Sequence, residues 1–168
     1  MSASAPRRIP FDGVRLRYDS TKSFGDLVAA VLDDVGRDPV PIDDIGQRFD
    51  SWESYEREVQ SHVGPSGFML FGSLNHGGWI AKTGIQRKVL RLIIGNPLIA
   101  ITMIRHDVTA GLFAPVELLV AEEDNDTSAL TYVLPSSLMV VEPNPPLLSA
   151  AENLDAKLAA LAAKVTGD

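Results

Sequence analysis

The apolar stretch from Val89 to Ile104 constrains the fold of this chain more than any other part of the sequence. Arg91 and a Gly-Asn-Pro sequence interrupt it, so it falls short of the roughly 20 continuous apolar residues that a membrane span requires. The pattern instead predicts a buried strand over Val89–Ile94, then a turn or short helix with Asn96 as N-cap and Pro97 as first helical residue. We therefore expect the rest of the chain to pack around this segment.

Hydrophobic periodicity predicts four further strands and three helices. Ser23 precedes apolar residues at helical spacing and Gly36 follows them, which is typical of a capped helix. Residues 37–50 contain two prolines and several aspartates, which predict a surface loop. Ser149 and Glu152 form a capping box and predict the start of the last helix. The predicted strands are Val14–Tyr18, Gly67–Leu74, Pro115–Glu122 and Ser128–Leu134, and the other predicted helices lie at 24–35 and 51–63.

The order of these elements indicates the fold class. It runs strand, two helices, four strands and a helix, and so lacks the strand–helix alternation that a parallel sheet needs. The order predicts an α+β fold with helices packed on one face of a mainly antiparallel sheet of about five strands. A chain of 168 residues is long enough to bury the core of one domain. We assign residues 13–168 to that domain and expect residues 1–12 to be a flexible tail.

Composition excludes several classes of function. The chain has no cysteine, which rules out disulfides, thiol nucleophiles and thiolate metal sites. Its net charge is −7 and it has no basic stripe, which argues against binding to nucleic acid. The first ten residues contain two arginines without a following apolar segment, so no secretory signal is predicted. We expect a cytoplasmic protein that does not associate with membranes.

Six segments, taken in order, resemble one known family. They are SFGDLVAAVLDDVG, FGSLNHG, IIGNPLIAITMIRHD, GLFAPVELLVAEED, TYVLPSS and the LDAKL of the last helix. Together they are similar to the bacterial family called domain of unknown function 302. The resemblance implies a TBP-like two-layer α+β sandwich, a homodimer, and a helical insertion at residues 43–63. It implies no established activity.

His76 is the first candidate site residue, because it follows a predicted strand and lies between Asn75 and two glycines. Gly77 and Gly78 would let the backbone approach a ligand closely, and an imidazole serves as acid, base or ligand. The alternative is a turn histidine whose ring hydrogen-bonds a nearby carbonyl.

His106 and Asp107 form the second candidate, with Met103 one helical turn earlier. The functional interpretations are an imidazole base that Asp107 orients, or a metal or haem ligand. The alternative is a histidine at a helix end that interacts with the terminal carbonyls.

Asn96 and Tyr132 complete the candidate residues. An anion such as a carboxylate or phosphate can bind at the helix N-terminus that Asn96 caps; the alternative is a well-capped turn. The hydroxyl of Tyr132, in the last predicted strand, either reaches a cavity or hydrogen-bonds at the sheet edge.

Two functions from different classes stay open, together with a plainer third. We favour binding of a small molecule in a partly apolar cavity near the strand ends at His76, Asn96 and His106, since no complete catalytic constellation is visible. The second is an enzyme that uses His76 and His106 as acid, base, metal or haem ligands, with Asp107 orienting and Tyr132 or Asn96 polarising the substrate. The enzyme requires the two histidines to converge. The third is a domain that associates only with itself. The sequence identifies no particular cofactor or substrate.

Overall fold

The strands form one antiparallel sheet in a computed structural model that describes residues 5–167. Within these residues the sheet has five strands in the order β1-β5-β4-β3-β2. All five predicted strands are confirmed, with ends shifted by one or two residues. Their bounds are β1 Arg15–Ser20, β2 Met69–Asn75, β3 Val89–Gly95, β4 Val116–Glu122 and β5 Ser128–Val133.

The helices pack against one face of this sheet and give the predicted two-layer α+β sandwich. The longest is the last one, as its many alanines of high helix propensity favour. Short 3₁₀ turns follow α4 and α5 and connect β4 to β5. The helix bounds are α1 Phe24–Val35, α2 Ile42–Arg48, α3 Trp52–His62, α4 His76–Ile80, α5 Pro97–Ile104, α6 Pro135–Met139 and α7 Pro145–Thr166. Among the helices of residues 5–167, none has both the length and the hydropathy that crossing a membrane requires.

The main core lies between the sheet and the pair α1 and α7. Leu92 and Leu118 are paired across β3 and β4 and are both buried on the face that these helices cover. Leu27 of α1 and Leu158 of α7 are buried against the same cluster. Burying each such leucine stabilises the fold by roughly 1.5–3 kcal/mol, so this layer accounts for much of its stability.

Strand β3 is hydrogen-bonded on both sides, and its pairing fixes the two ends of the sheet. Leu90 lies opposite Asn75 of β2 at one end, and Gly95 lies opposite Met69 at the other end. A seven-residue strand spans roughly 20 Å. The segment after Asn75 and the segment after Gly95 are therefore separated by the length of the strand.

Three predicted helix ends are confirmed by their hydrogen bonds. The Ser23 side chain accepts from Asp26 N at 3.2 Å, and the Ser51 side chain accepts from Ser54 N at 3.2 Å. The Asn96 side chain accepts from Leu98 N at 2.9 Å, with Pro97 at the first helical position. These side chains satisfy amides that the helix itself leaves unpaired.

Two sequence predictions about helices are wrong. The loop predicted for residues 37–50 contains α2, which begins directly after Pro41 and buries Ile45 completely. Asp43 and Asp44 lie in its first turn, where the helix dipole favours negative charge. The last helix begins at Pro145 instead of Ser149, because the Asn144 side chain accepts from Leu147 N at 3.2 Å and caps the helix one turn earlier.

The predicted tail and insertion can be placed on this fold. Of the tail at residues 1–12, residues 1–4 lie outside the described residues; Arg7 pairs with Glu142, and Phe11 makes an edge contact with Phe113. Most of α2 and all of α3 lie in the segment 43–63. They pack on a second apolar cluster centred on Ile45, Val59 and Met69. The assignment of this segment as an insertion stays a prediction.

We expect Asp34→Ala to lower the free energy of unfolding by about 2–3 kcal/mol. The Asp34 carboxylate is buried and accepts hydrogen bonds from the amide and the hydroxyl of Ser66, at 3.2 and 2.7 Å, as well as pairing with Lys164. Most of the loss comes from the Ser66 bonds, because Lys164 is half-exposed and solvent screens its charge.

Urea denaturation followed by circular dichroism measures this loss, and Asp33→Ala is the control. Asp33 precedes Asp34 on the same helix but is exposed and pairs only with Arg37. Its removal should change the free energy of unfolding by about 0.5 kcal/mol or less. Equal losses in the two variants would contradict the structural role of Asp34.

Candidate functional site

A pocket of about 470 Å³ lies at the end of the sheet where β3 begins. We call it the basal pocket. Phe24, the first residue of α1, and Leu90 of β3 give it an apolar floor, and both are half-buried. Its volume is in the range of small-molecule sites, which are mostly apolar with a few convergent polar groups. The other lining residues are Asn75, Gly77, Gly78, Ala81, Gln86, Arg87, Lys88 and Glu122.

Gly77 and Gly78 have different roles beside this pocket. A Cβ at Gly77 would lie 2.9 Å from the carbonyl oxygen of Arg87 and 3.0 Å from the amide nitrogen of Val89. Only glycine therefore lets α4 pack on the segment that leads into β3. At Gly78 a Cβ would make ordinary contacts, the nearest being 3.6 Å from Asn75 Nδ2. The close approach expected for these glycines is thus made, at Gly77, by the chain's own backbone.

Charged side chains from two neighbouring strands form the rim of the basal pocket. Lys88 Nζ lies 3.0 Å from Glu122 Oε1, and the Lys88 amide donates to Glu122 Oε2 at 3.2 Å. These hydrogen bonds lower the pKa of Glu122 and raise that of Lys88. Arg87 pairs with Glu123 at 3.0 Å and donates to the backbone carbonyl of Glu122. The rim is therefore polar but nearly balanced in charge.

His76 lies next to this pocket but its ring is engaged elsewhere. Trp79 Nε1 donates to His76 Nδ1 at 3.3 Å, and the two rings meet edge to face with centroids 6.1 Å apart. His76 is the first residue of α4, whose N-cap is Asn75; the amide of Gly78 donates to Asn75 Oδ1 at 3.1 Å. The ring thus pairs with the indole of Trp79, which is 57% exposed, instead of a backbone carbonyl.

His106 lies beyond the opposite end of β3, so the two histidines do not converge. It follows α5 and precedes a 3₁₀ turn that leads into β4. Its amide donates to Met103 O at 2.9 Å, and its carbonyl accepts from Asn144 Nδ2 at 3.4 Å. The Met103 side chain is 1% exposed whereas His106 is exposed, so the two do not face a common haem site.

Asp107 caps the next turn of the chain and does not orient His106. Its Oδ1 accepts from the hydroxyl of Thr109 at 2.7 Å and from the Thr109 amide at 2.8 Å. These two hydrogen bonds lower the pKa of the carboxyl. Within residues 5–167 no group of three histidine, aspartate or glutamate side chains is placed to hold a metal ion.

Asn96 lines a second and smaller pocket of about 190 Å³, which we call the α5 pocket. This pocket lies between the end of β3, α5 and the residues that lead into β4. Asn96 Oδ1 caps α5, and its Nδ2 donates to the carbonyl of Gly67 at 2.9 Å. The predicted capped turn is thus confirmed. The strand-end cavity expected at His76, Asn96 and His106 stays a prediction; Asn96 lines the α5 pocket, and His76 lies beside the basal pocket at the opposite end of β3.

Tyr132 belongs to the core beneath α7. Its side chain is 2% exposed and its ring stacks on that of Tyr18, with centroids 6.1 Å apart. Among the described residues no group meets hydrogen-bond geometry with its hydroxyl, although the Tyr18 hydroxyl is close enough to raise its pKa. Burial is the main cause that raises the pKa of Tyr132, and Tyr18 and Asp155 raise it further. Tyr132 is therefore a buried core residue that stacks on Tyr18.

Sequence reasoning missed the residues that form the rim and floor of the basal pocket. None of Arg87, Lys88 and Glu122 is among the candidate residues that the sequence predicts. Their proximity follows from the register, because Val89 pairs with Ala121 and places Lys88 beside Glu122. Opposite charges at the adjoining ends of two adjacent antiparallel strands, Lys88 directly before β3 and Glu122 at the end of β4, are the signal that identifies them.

Comparisons with known proteins agree with this fold. The family model described as domain of unknown function DUF302 matches residues 47–165. The structure is similar to the crystal structure of the uncharacterized conserved protein DUF302 from Bacillus stearothermophilus, with a TM-score of 0.63 and 18% sequence identity. That similarity covers 90% of this chain and 97% of the other, and at this identity it establishes the fold alone. No curated protein matches the chain.

We expect Tyr132→Phe to raise the free energy of unfolding by about 1 kcal/mol at neutral pH, because it removes a buried hydroxyl without a partner. The unfolded chain releases this phenolic proton near pH 10, below the pKa in the folded state. The contribution of the neutral phenol to the free energy of unfolding is therefore fully present below about pH 10. It decreases as the pH rises above that value. The variant should therefore lose less stability in alkali.

Urea denaturation at a series of pH values tests both parts of this prediction, with Tyr55→Phe as the control. Tyr55 is half-buried in the second cluster, where burial and Asp43 raise its pKa as well. Tyr55→Phe should therefore share the alkaline effect but lack the gain at neutral pH, because its hydroxyl is not a buried group without a partner. A loss of more than about 1 kcal/mol at neutral pH in Tyr132→Phe would instead show that its hydroxyl makes a hydrogen bond.

Proposed function

This chain belongs to the DUF302 family, a domain of unknown function, and we propose that it binds a small molecule in the basal pocket. The observation that carries the proposal is the combination of an apolar floor, Phe24 and Leu90, with polar side chains that converge on its rim. Such a combination favours a ligand that buries an apolar ring or chain and keeps its polar groups at the mouth.

The rim restricts the charge of this ligand. Arg87 and Lys88 are already paired with Glu123 and Glu122, so a strongly charged ligand would have to break an existing ion pair. Asn75 Oδ1 is used by the amide of Gly78, which leaves its amide nitrogen available as a donor. Gln86 donates to Ala81 O, which leaves its side-chain oxygen as an acceptor. These groups suit a ligand with amide, hydroxyl or carbonyl groups and little net charge.

The alternative function, an enzyme that uses His76 and His106 together, has less support. The length of β3 separates the two histidines, Asp107 is engaged by Thr109, and Tyr132 is buried in the core. A mechanism that uses His76 alone would need a second catalytic group. The ring of His76 instead accepts a hydrogen bond from Trp79. The cytoplasmic location expected from the sequence stays a prediction.

Ala81→Phe should abolish binding in the basal pocket. Ala81 lines the pocket, and a phenylalanine there would fill part of its volume. A fragment library of uncharged ring compounds with amide or hydroxyl groups, screened by ligand-observed NMR, identifies probes for the wild-type protein. The same probes should lose affinity at least about tenfold with Ala81→Phe.

Thr83→Phe is the matched control for this screen. Thr83 lies two residues later in the same 3₁₀ turn, is exposed, and does not line the pocket. The Thr83→Phe variant should bind the probes with the same affinity as the wild-type protein. Fragments that bind all three proteins equally, or a screen without any binder, would contradict the proposal.

The open face of the sheet supports a second candidate, self-association. Ile93 and Leu119 are half-buried on this face, next to an ion pair between Arg91 and Glu117. A two-fold interface brings the same patch together twice, so Arg91 of one protomer can meet the partner's Glu117 within an apolar surround. We propose that the expected homodimer forms through this face.

Light scattering over a concentration series should show a dimer for the wild-type protein and a monomer for Leu119→Lys. The substitution places a charge at the centre of the proposed interface, where it would be desolvated. Ala156→Lys, on an exposed position of α7, is the control and should leave the dimer intact. A monomeric wild-type protein, or equal behaviour of the two variants, would refute the interface.

A further inference from the structure

The α5 pocket has walls of a different chemistry from those of the basal pocket. Phe68 and Met103 form its buried part, with 0% and 1% of their surfaces exposed. The rest of the apolar wall comes from α5, from the segment before β4, and from α7. It includes Ile99, Pro115 and Leu154. No charged side chain lines this pocket.

Asn96 is the one polar side chain in the lining, and its amide is already engaged. Its oxygen accepts from the Leu98 amide at 2.9 Å and its nitrogen donates to Gly67 O at 2.9 Å. A polar group on a ligand would lose its hydration here without gaining a strong partner, which costs roughly 1–3 kcal/mol. The pocket therefore selects against charged and strongly polar molecules.

The volume of the pocket limits the size of its ligand. An apolar cavity of roughly 150 Å³ in another protein stays dry and binds benzene. The α5 pocket, at about 190 Å³, has room for one six-membered ring or a branched alkyl group of similar size. A larger molecule could enter only in part.

Gly95 permits the packing of the aromatic wall. A Cβ at this position would lie 2.8 Å from Phe71 Cε2 and 3.2 Å from Pro115 Cβ. The absence of a side chain lets the Phe71 ring and Pro115 lie against the end of β3. These two rings also line the pocket, so its shape depends on this glycine.

We propose that the α5 pocket is a second binding site, for an uncharged apolar molecule or group of the size of one aromatic ring or a branched alkyl chain. The α5 pocket lies at the opposite end of β3 from the basal pocket. Ligand binding in the α5 pocket is therefore independent of the function proposed for the basal pocket.

Benzene is the probe for the first test, and methionine methyl NMR is the readout. Met103 lines the α5 pocket, whereas Met69 and Met139 are also buried but do not line it. Benzene should shift the Met103 resonance saturably and leave the other two unchanged. Benzoate, a charged molecule with the same ring, should not shift it.

Two variants locate the binding. Ala100→Leu fills the pocket from α5 and should weaken benzene binding at least about tenfold. Thr102→Leu adds similar bulk on the exposed side of the same helix, outside the lining, and should bind as the wild-type protein does. Ala81→Phe, which closes the basal pocket, should leave the Met103 shift intact and so separates this proposal from the first.

Three outcomes would overturn the proposal. One is that benzene does not shift the Met103 resonance of the wild-type protein. This test does not depend on the folding of any variant. The second is a benzoate shift equal to that with benzene, which would refute the ligand class. The third is that benzene shifts the methyl resonance of Met69 or Met139 more than that of Met103.

Discussion

The antiparallel pairing of β3 with strands on both sides is the constraint on which the rest of the structure depends. It places the apolar face of β3 in the core against α1 and α7. It also directs the chain out of the sheet at opposite ends, before Val89 and after Gly95. The basal pocket and the α5 pocket therefore lie at opposite ends of β3, and neither combines groups from both ends.

This separation explains why the basal pocket and the α5 pocket have unlike chemistry. The basal pocket lies beside the turns between strands, where exposed Arg87 and Lys88 pair with half-buried Glu123 and Glu122. The α5 pocket lies beside the helix that continues the most apolar stretch of the sequence, and mostly hydrophobic side chains line it. In each case a glycine, Gly77 or Gly95, lets the chain pack closely at the strand end.

The fold was largely predictable because strand and helix periodicity are local properties of the sequence. One exception was α2, which depends on the burial of Ile45 in a tertiary cluster, and another was the start of α7, which Asn144 caps. The five-residue helices α4 and α6 were not predicted either, because they are too short to show a hydrophobic period. The sites were less predictable. Asn96 was assigned correctly as a cap, but whether His76 and His106 converge depends on strand pairing. The proximity of Lys88 and Glu122 depends on register, which single residues do not reveal.

The separation of the two strand ends can be measured directly, since the chain has no cysteine to interfere with spin labelling. Labels on Thr83→Cys and Val108→Cys, both exposed, mark the turn after α4 and the turn after α5. Pulsed electron paramagnetic resonance should give a distance of at least roughly 20 Å, the length of β3. A distance below about 15 Å would place both turns at one end of the sheet. That result would contradict the account and restore a single site that contains both histidines.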